Sequence, residues 1–137
     1  KYLVNRARLD GGFTFDPATR TEPNTGYAVG CSRREYERHI PLSDTRACEA
    51  AVARAIANAV HGGVCVGGWA HDGKLILEYV RIWHDLTEAL DAGIKWGQRA
   101  IYDLDMGREI PVPQCAMVSA ETVGDATVAS QYAFRVF

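Results

Sequence analysis

The sequence predicts a single α+β domain, residues 1–137, with a mostly antiparallel sheet built from hairpins and two helices packed on one face. Two turn signals, Asp72-Gly73 and Asp105-Met106-Gly107, each separate two apolar runs, as in β-hairpins. Two other segments repeat apolar residues at spacings of three and four, as amphipathic helices do. The length of 137 residues and the 47% hydrophobic content fit one globular domain. No stretch approaches the roughly 20 apolar residues of a membrane span.

The first third of the chain predicts short strands around a long loop. Residues 2–4 and 12–15 are apolar and extended in pattern, and the Gly pair at 11–12 separates them. Residues 16–26 are polar and carry two prolines, which predicts a loop longer than the usual run of about two to six residues. A further strand is predicted at residues 27–31. The charge run SRREYERH follows at residues 32–39.

The middle of the chain predicts a helix and a long hairpin. Ser43 or Asp44 is expected to cap a helix that ends at Gly62-Gly63. Residues 64–70 and 74–83 then predict a hairpin. Its second strand is apolar on both faces, which places it in the centre of the sheet. The glycines at 67 and 68 predict a bulge or a close backbone approach, and they leave Trp69 partly exposed near the hairpin tip.

A second helix and a second hairpin follow. Asp85 and Glu88 have the spacing of a capping box, so a helix should begin after Asp85, with Gly93 weakening it and Gly97 ending it. Residues 100–104 and 108–112 predict two strands, and prolines put the second at a sheet edge. The apolar side of this second helix is expected to consist of Leu86, Ala89, Leu90, Ile94 and Trp96. Apolar and polar residues alternate over residues 131–137, which predicts a closing strand.

Motifs for catalysis or cofactor binding are absent from the sequence. No HxxxH or CxxC pair indicates a metal site, and no glycine loop has the spacing that cradles a phosphate. Cys31 precedes two arginines that would lower the pKa of a reactive thiol, and the alternative is an inert thiol at a strand end. We expect no enzyme activity, no cofactor and no metal. The four cysteines and the short apolar run at the N-terminus predict reduced thiols in a cytoplasmic protein.

Charge is divided unevenly along the sequence. Residues 1–60 hold nine Lys/Arg and seven Asp/Glu, whereas residues 61–137 hold six and ten. The acidic excess is either a solvated surface or a docking surface for a basic partner. The expected docking residues on this half are Asp85, Glu88, Asp91, Asp103 and Asp105. Trp69 is a further candidate, since aromatic anchors are common in interfaces.

The charge run of the first half has its own two interpretations. Arg33, Arg34 and Arg38, with Tyr36 among them, predict a basic patch with one aromatic, as nucleic-acid-binding surfaces have. Glu35 and Glu37 interrupt the run and weaken its field, which favours a solvated loop instead. Nucleic acid is therefore a weakly supported partner.

Three stretches carry a resemblance to known proteins: GGFTFDPATRTEPNTGYAVG, VCVGGWAHDGKLILEYVRIW and RAIYDLDMGREIPV. They resemble a group of small proteins carried by phages and prophages, in which FDPxTxxxPxxGYxV precedes a GGWxxDGKxxLE hairpin and an AIYDLxxGxEI segment. The resemblance covers roughly residues 11–31 and 64–112 and excludes SRREYERH. No catalytic residues come with it. It implies an accessory protein of a mobile element, in the cytoplasm of the host bacterium, that interferes with host machinery as anti-CRISPR proteins do.

Three functions follow as expectations. The first is an inhibitor of a host defence system that binds a protein or ribonucleoprotein effector without catalysis. The second is a small enzyme or ligand-binding protein with a site under the loop at residues 16–26, lined by Asp16, Arg20 and Glu22. The third is a virion or assembly protein, for which a homo-oligomer would be expected. None of the three involves a membrane.

Overall fold

The structure, a computed structural model, describes residues 2–32 and 37–114 and confirms a mixed α+β fold with an antiparallel sheet. In chain order the elements are α1 Tyr2–Asp10, β1 Gly12–Phe15, β2 Tyr27–Gly30, β3 Arg38–Pro41, α2 Thr45–Gly62, β4 Cys65–His71, β5 Lys74–Trp83, α3 Leu86–Lys95, β6 Ala100–Asp103 and β7 Arg108–Pro111. Predictions for residues 33–36 and 115–137 lie outside the described residues.

The strands follow the order β1-β4-β5-β2-β6-β7, and β3 pairs with β5 beside this path. The hairpin predicted at the Asp72-Gly73 turn is the β4–β5 pair, which keeps a continuous register from Cys65↔Val80 to His71↔Lys74. The predicted central position of β5 is confirmed, because β4 lies on one side of it and β3 and β2 on the other. Among the strands that the structure describes, β7 lies at the edge of the sheet, as predicted.

The chain divides into two compact units. The first contains residues 1–24 and 30–81, and the second contains residues 25–29 and 82–137. In the first unit α1 and α2 pack with β1, β3, β4 and β5 around a core that includes Val4, Cys48, Val66 and Leu75. In the second unit a smaller core joins Val29, Ala89, Ile101 and Val112.

Helix α1 corrects the strand predicted at residues 2–4 and raises the number of helices among the described residues to three. Its buried residues Leu3, Val4 and Ala7 are spaced as one helical face. Arg6 pairs with Asp10 at i,i+4, with 3.2 Å between Nη1 and Oδ2. The prediction rested on a run of three apolar residues, which is too short to distinguish a helical period from a strand.

Helix α2 begins and ends as predicted. The Asp44 side chain accepts a hydrogen bond from Ala47 N at 3.0 Å, so Asp44 rather than Ser43 is the N-cap. Gly63 ends the helix in the left-handed conformation, with φ 67°. Strand β3, which the sequence did not predict, precedes α2 and includes Pro41, whose pairing with Lys74 at the end of the ladder suits a residue that cannot donate a hydrogen bond.

The glycines of β4 allow a close approach and no bulge. A Cβ on Gly68 would lie 2.5 Å from Cε2 of Phe13 on β1, and a Cβ on Gly67 would lie 3.0 Å from Cγ1 of Val80. The register of β4 with both neighbours continues through the pair without an extra residue. The predicted bulge is therefore absent here, and what approaches the two glycines closely is the side chains of Phe13 and Val80 rather than another backbone.

Helix α3 packs through small residues. Ala89, Ala92 and Gly93 are buried, and a Cβ on Gly93 would lie 2.9 Å from Cγ2 of Val112. The predicted apolar side is thus partly wrong, because Leu86 and Ile94 remain 40% and 39% exposed. Across residues 2–32 and 37–114, none of the helices combines the length and apolarity needed to cross a bilayer.

Candidate functional site

A small hollow with both polar and apolar lining residues lies in the first unit where β3, β5 and α2 meet. It has room for about 30 Å³, the space of one or two water molecules. Its lining is formed by Arg38, Ala51, Arg54, Ala55, Asn58, Leu77, Glu78 and Tyr79. A whole organic substrate does not fit this volume, whereas a single functional group at the mouth does.

Periodicity brings the polar residues of the hollow together. Arg54 and Asn58 are four residues apart on α2 and so share one face of the helix. Arg38 pairs with Leu77 in the β3–β5 ladder, and Tyr79 lies two residues further along the same face of β5. Asn58 Nδ2 donates to the Tyr79 hydroxyl oxygen at 3.1 Å, which ties α2 to β5 at this point. Arg38 alone among these was a predicted site residue.

Glu78 carries a largely buried carboxyl group in the first unit. Strand alternation directs its side chain to the face opposite Leu77 and Tyr79, and its Oε1 atom is buried without a hydrogen-bond partner. Burial, reinforced by the negative charge of Glu37, raises the pKa of Glu78 to about 8. The carboxyl group is therefore largely protonated at neutral pH. The only signal in the sequence is one acidic residue inside an otherwise apolar strand.

The described cysteines are free and do not form an activated centre. Burial raises the pKa of the Cys31 thiol, although nearby Arg81 acts in the opposite direction. Burial likewise raises the pKa of Cys65, to about 11. A thiol with a raised pKa holds less of the nucleophilic thiolate at neutral pH. This favours the inert thiol over the reactive one for Cys31.

Histidines and acids do not assemble into a metal site within the part of the chain that the structure describes. His39 lies 3.3 Å from Glu37 and His71 lies 3.4 Å from Asp72, and each is a simple pair of neighbours in sequence. Both pairs are at the surface, and neither gathers a third ligand.

The long loop at residues 16–26 uses its polar groups for its own structure. Asp16 Oδ1 accepts from Ala18 N at 3.0 Å, and the backbone of Asp16 pairs with Thr21. Glu22 accepts from the Tyr2 hydroxyl at 2.8 Å and lies 3.2 Å from Arg6 Nη2. Arg20 is exposed at φ 59°. The hollow described above is lined by other residues, so the pocket expected under this loop does not gain support.

Several predicted acidic docking residues hold turns and helix ends in the second unit. Asp85 Oδ2 accepts from Glu88 N at 3.0 Å as the N-cap of α3, which confirms this half of the predicted capping box. Asp105 Oδ2 accepts from Gly26 N at 3.0 Å. Asp103 is buried and its Oδ1 accepts from Met106 N at 3.1 Å, so it shapes the β6–β7 turn and is unavailable to a partner.

The remaining predicted residues fall into three places. Glu88 and Asp91 are exposed on α3, between the half-exposed Leu86 and Ile94, and we call these four residues the α3 surface. Trp69 is half-buried on β4, where it pairs with Gly12 and Ile76. Arg38 lies at the hollow, while Arg33, Arg34 and Tyr36 are outside the described residues.

The uneven charge of the sequence coincides with the two compact units. Residues 1–24 and 30–81 contain 11 Lys/Arg and nine Asp/Glu, whereas residues 25–29 and 82–137 contain four and eight. The α3 surface therefore belongs to the more acidic of the two units.

No family model matches this chain, and neither the curated proteins nor the solved structures contain a match to it. What the chain does must therefore be inferred from its own residues.

Proposed function

We propose that this chain is a modulator of a host defence system, encoded by a phage or another mobile element, that acts by binding a basic protein or ribonucleoprotein effector. The α3 surface of the acidic unit is the contact. The resemblance of the GGFTFDP, VGGWAHDGK and AIYDLDMG stretches to phage and prophage proteins supports the biological setting.

The observation that carries the proposal is the composition of the α3 surface. Leu86 and Ile94 expose 40% and 39% of their area, although a helix of this length could have turned both inward. Glu88 and Asp91 lie between them in sequence, are also exposed, and are not required for capping, because Asp85 performs that role. Aliphatic side chains supply contact area in an interface, and carboxylates accelerate association with a basic partner.

The test is phage plaquing on bacteria that carry an active CRISPR or restriction system. Expression of the chain is expected to raise the efficiency of plaquing, and the double variant Glu88→Lys/Asp91→Lys is expected to abolish that effect. Lysine is a good helix former, so α3 should persist, which circular dichroism would verify. Glu109→Lys is the matched control, since Glu109 is an exposed carboxylate of the same unit on β7.

Two results would refute the proposal. One is plaquing that the wild-type chain leaves unchanged in every defence system tested. The other is full activity of the double α3 variant. Light scattering on the purified chain addresses the assembly alternative separately, because a stable homo-oligomer would favour a virion protein.

A further inference from the structure

Four residues in the lining of the first unit's hollow carry side-chain hydrogen-bond donors: Arg38, Arg54, Asn58 and Tyr79. Arg38 and Arg54 reach it from two different elements, and neither guanidinium has an ion-pair or hydrogen-bond partner among residues 2–32 and 37–114. The α2 face and the β3–β5 ladder hold their backbones in place. Two unpaired guanidiniums at one concavity form an arrangement that attracts an oxyanion.

The Asn58–Tyr79 hydrogen bond adds a third donor. Because Asn58 Nδ2 donates to the phenolic oxygen, the hydroxyl hydrogen of Tyr79 is not used in that bond. It remains available to a ligand oxygen at the hollow. The second hydrogen of the Asn58 amide is available in the same way.

Negative side chains stay on the other side of the sheet. Glu78 contributes to the lining, but strand alternation directs its carboxyl group to the face opposite Tyr79. Glu37 acts electrostatically on Glu78, which places its charge near that carboxyl group, and it contacts His39 at 3.3 Å. The face that Arg38 and Arg54 present is therefore positive and rich in donors.

We propose that this hollow binds a phosphate group, through Arg38, Arg54, Asn58 and Tyr79. A carboxylate has one plane and is satisfied by one arginine fork, whereas a tetrahedral phosphate offers oxygens to donors that converge from two strands and a helix. The volume of about 30 Å³ accommodates part of one such group and leaves the rest of the ligand in solvent. This site lies outside the α3 surface and does not depend on the proposed function.

The experiment is a titration of the full chain followed by NMR, with the side-chain Nε–H signals of the arginines and the backbone amides of α2 as reporters. Inorganic phosphate and a nucleoside 5′-monophosphate are added at constant ionic strength, with sodium acetate and sodium chloride as reference anions. Saturable shifts at Arg38, Arg54 and Asn58 are expected with both phosphates. Tighter binding of the nucleotide than of inorganic phosphate would identify a phosphate ester as the preferred ligand. Equal binding would mean that the hollow recognises the free phosphate anion alone.

Variants separate a built site from general surface charge. Arg54→Gln and Arg38→Gln are each expected to weaken phosphate binding about tenfold, the cost of one charge-assisted contact. Tyr79→Phe keeps the ring and should weaken it a few-fold. Arg46→Gln, an exposed arginine of α2 outside the hollow, should leave binding unchanged.

The proposal is overturned if phosphate shifts do not saturate, if acetate binds as tightly, or if Arg46→Gln weakens binding as much as Arg54→Gln. Circular dichroism of each variant verifies its fold. Should Arg38→Gln disturb β3, Arg54→Gln and Tyr79→Phe still decide the outcome, because Arg54 is exposed on the helix and Tyr79→Phe removes only a hydroxyl.

Discussion

Glu78 is the residue at which burial and charge oppose each other most clearly. Its Oε1 atom has no hydrogen-bond partner and its pKa is raised to about 8, so the native state favours the protonated acid. The negative charge of Glu37 acts on it in addition to burial, and Glu78 in turn helps to raise the pKa of Cys31. In the unfolded chain the carboxyl group ionises near its ordinary value of 4.5.

We expect this group to reduce stability as the pH rises. Between pH 4.5 and about 8 the native state retains a proton that the unfolded state has lost, so the free energy of unfolding falls with pH across this window. Glu78→Gln keeps the shape and removes the charge. It should raise the free energy of unfolding by about 2–4 kcal/mol at pH 9 and change it little at pH 5.

Urea unfolding at both pH values measures this difference. Glu109→Gln, at an exposed position on β7, is the matched control. A Glu78→Gln effect of equal size at pH 5 and pH 9 would contradict the assignment.

Single residues with a local task were predicted correctly from sequence. Asp85 was predicted as the cap of α3 and Asp44 as one of two candidate caps of α2, because a short side-chain acceptor next to the first free N–H groups needs no distant partner. Glu78, Asn58 and Tyr79 were not predicted as a site. Their significance depends on which face of β5 is covered and by what, and neither is encoded in neighbouring residues.

At the scale of elements, the closest packing depends on glycines. Gly68→Ala would place a Cβ 2.5 Å from the Phe13 ring, and Phe13 is itself buried between elements of the first unit. We expect a loss of about 1–3 kcal/mol in the free energy of unfolding, as for overpacked cores. Chemical denaturation of the variant measures it.

The control is Gly62→Ala near the end of α2, where the nearest atom to the new Cβ is 3.8 Å away. Alanine has the higher helix propensity, so this variant should be neutral or up to about 1 kcal/mol more stable. Destabilisation of both variants by the same amount would mean that steric contact is not the cause.

Elements bounded by turn or capping residues in the sequence were predicted well, and elements without such residues at both ends were not. The β4–β5 hairpin and α2 are bounded by Asp-Gly and Gly-Gly signals that act within a few residues. Strand β3 lacks such signals, and for α1 the Gly11-Gly12 pair marks only the end of the element and not its type. Arg8 of α1 donates to Leu42 O at 2.6 Å and to Thr45 Oγ1 at 2.8 Å, so part of what holds α1 lies more than 30 residues away.

At the scale of the whole molecule, the protection of backbone amides from hydrogen exchange should depend on the position of each strand in the sheet. β5 has neighbours on both sides and its residues Leu75 and Leu77 are buried, whereas β7 pairs with β6 alone among the described strands. Amides of β4 and β5 are therefore expected to exchange hydrogen most slowly, and those of β7 at least about tenfold faster. Native-state exchange followed by NMR tests this. Equal protection of β7 and β5 would contradict the strand order.

The sequence by itself determined the fold class, the caps, the hairpin turns and the division of charge, because each depends on period, turn chemistry or composition within a short stretch. Only the tertiary structure decided that α1 is a helix, that Asp103 is buried, and that Arg38, Arg54 and Tyr79 meet at one hollow. These features arise from contacts between residues far apart in the chain, whose free energy no local pattern records.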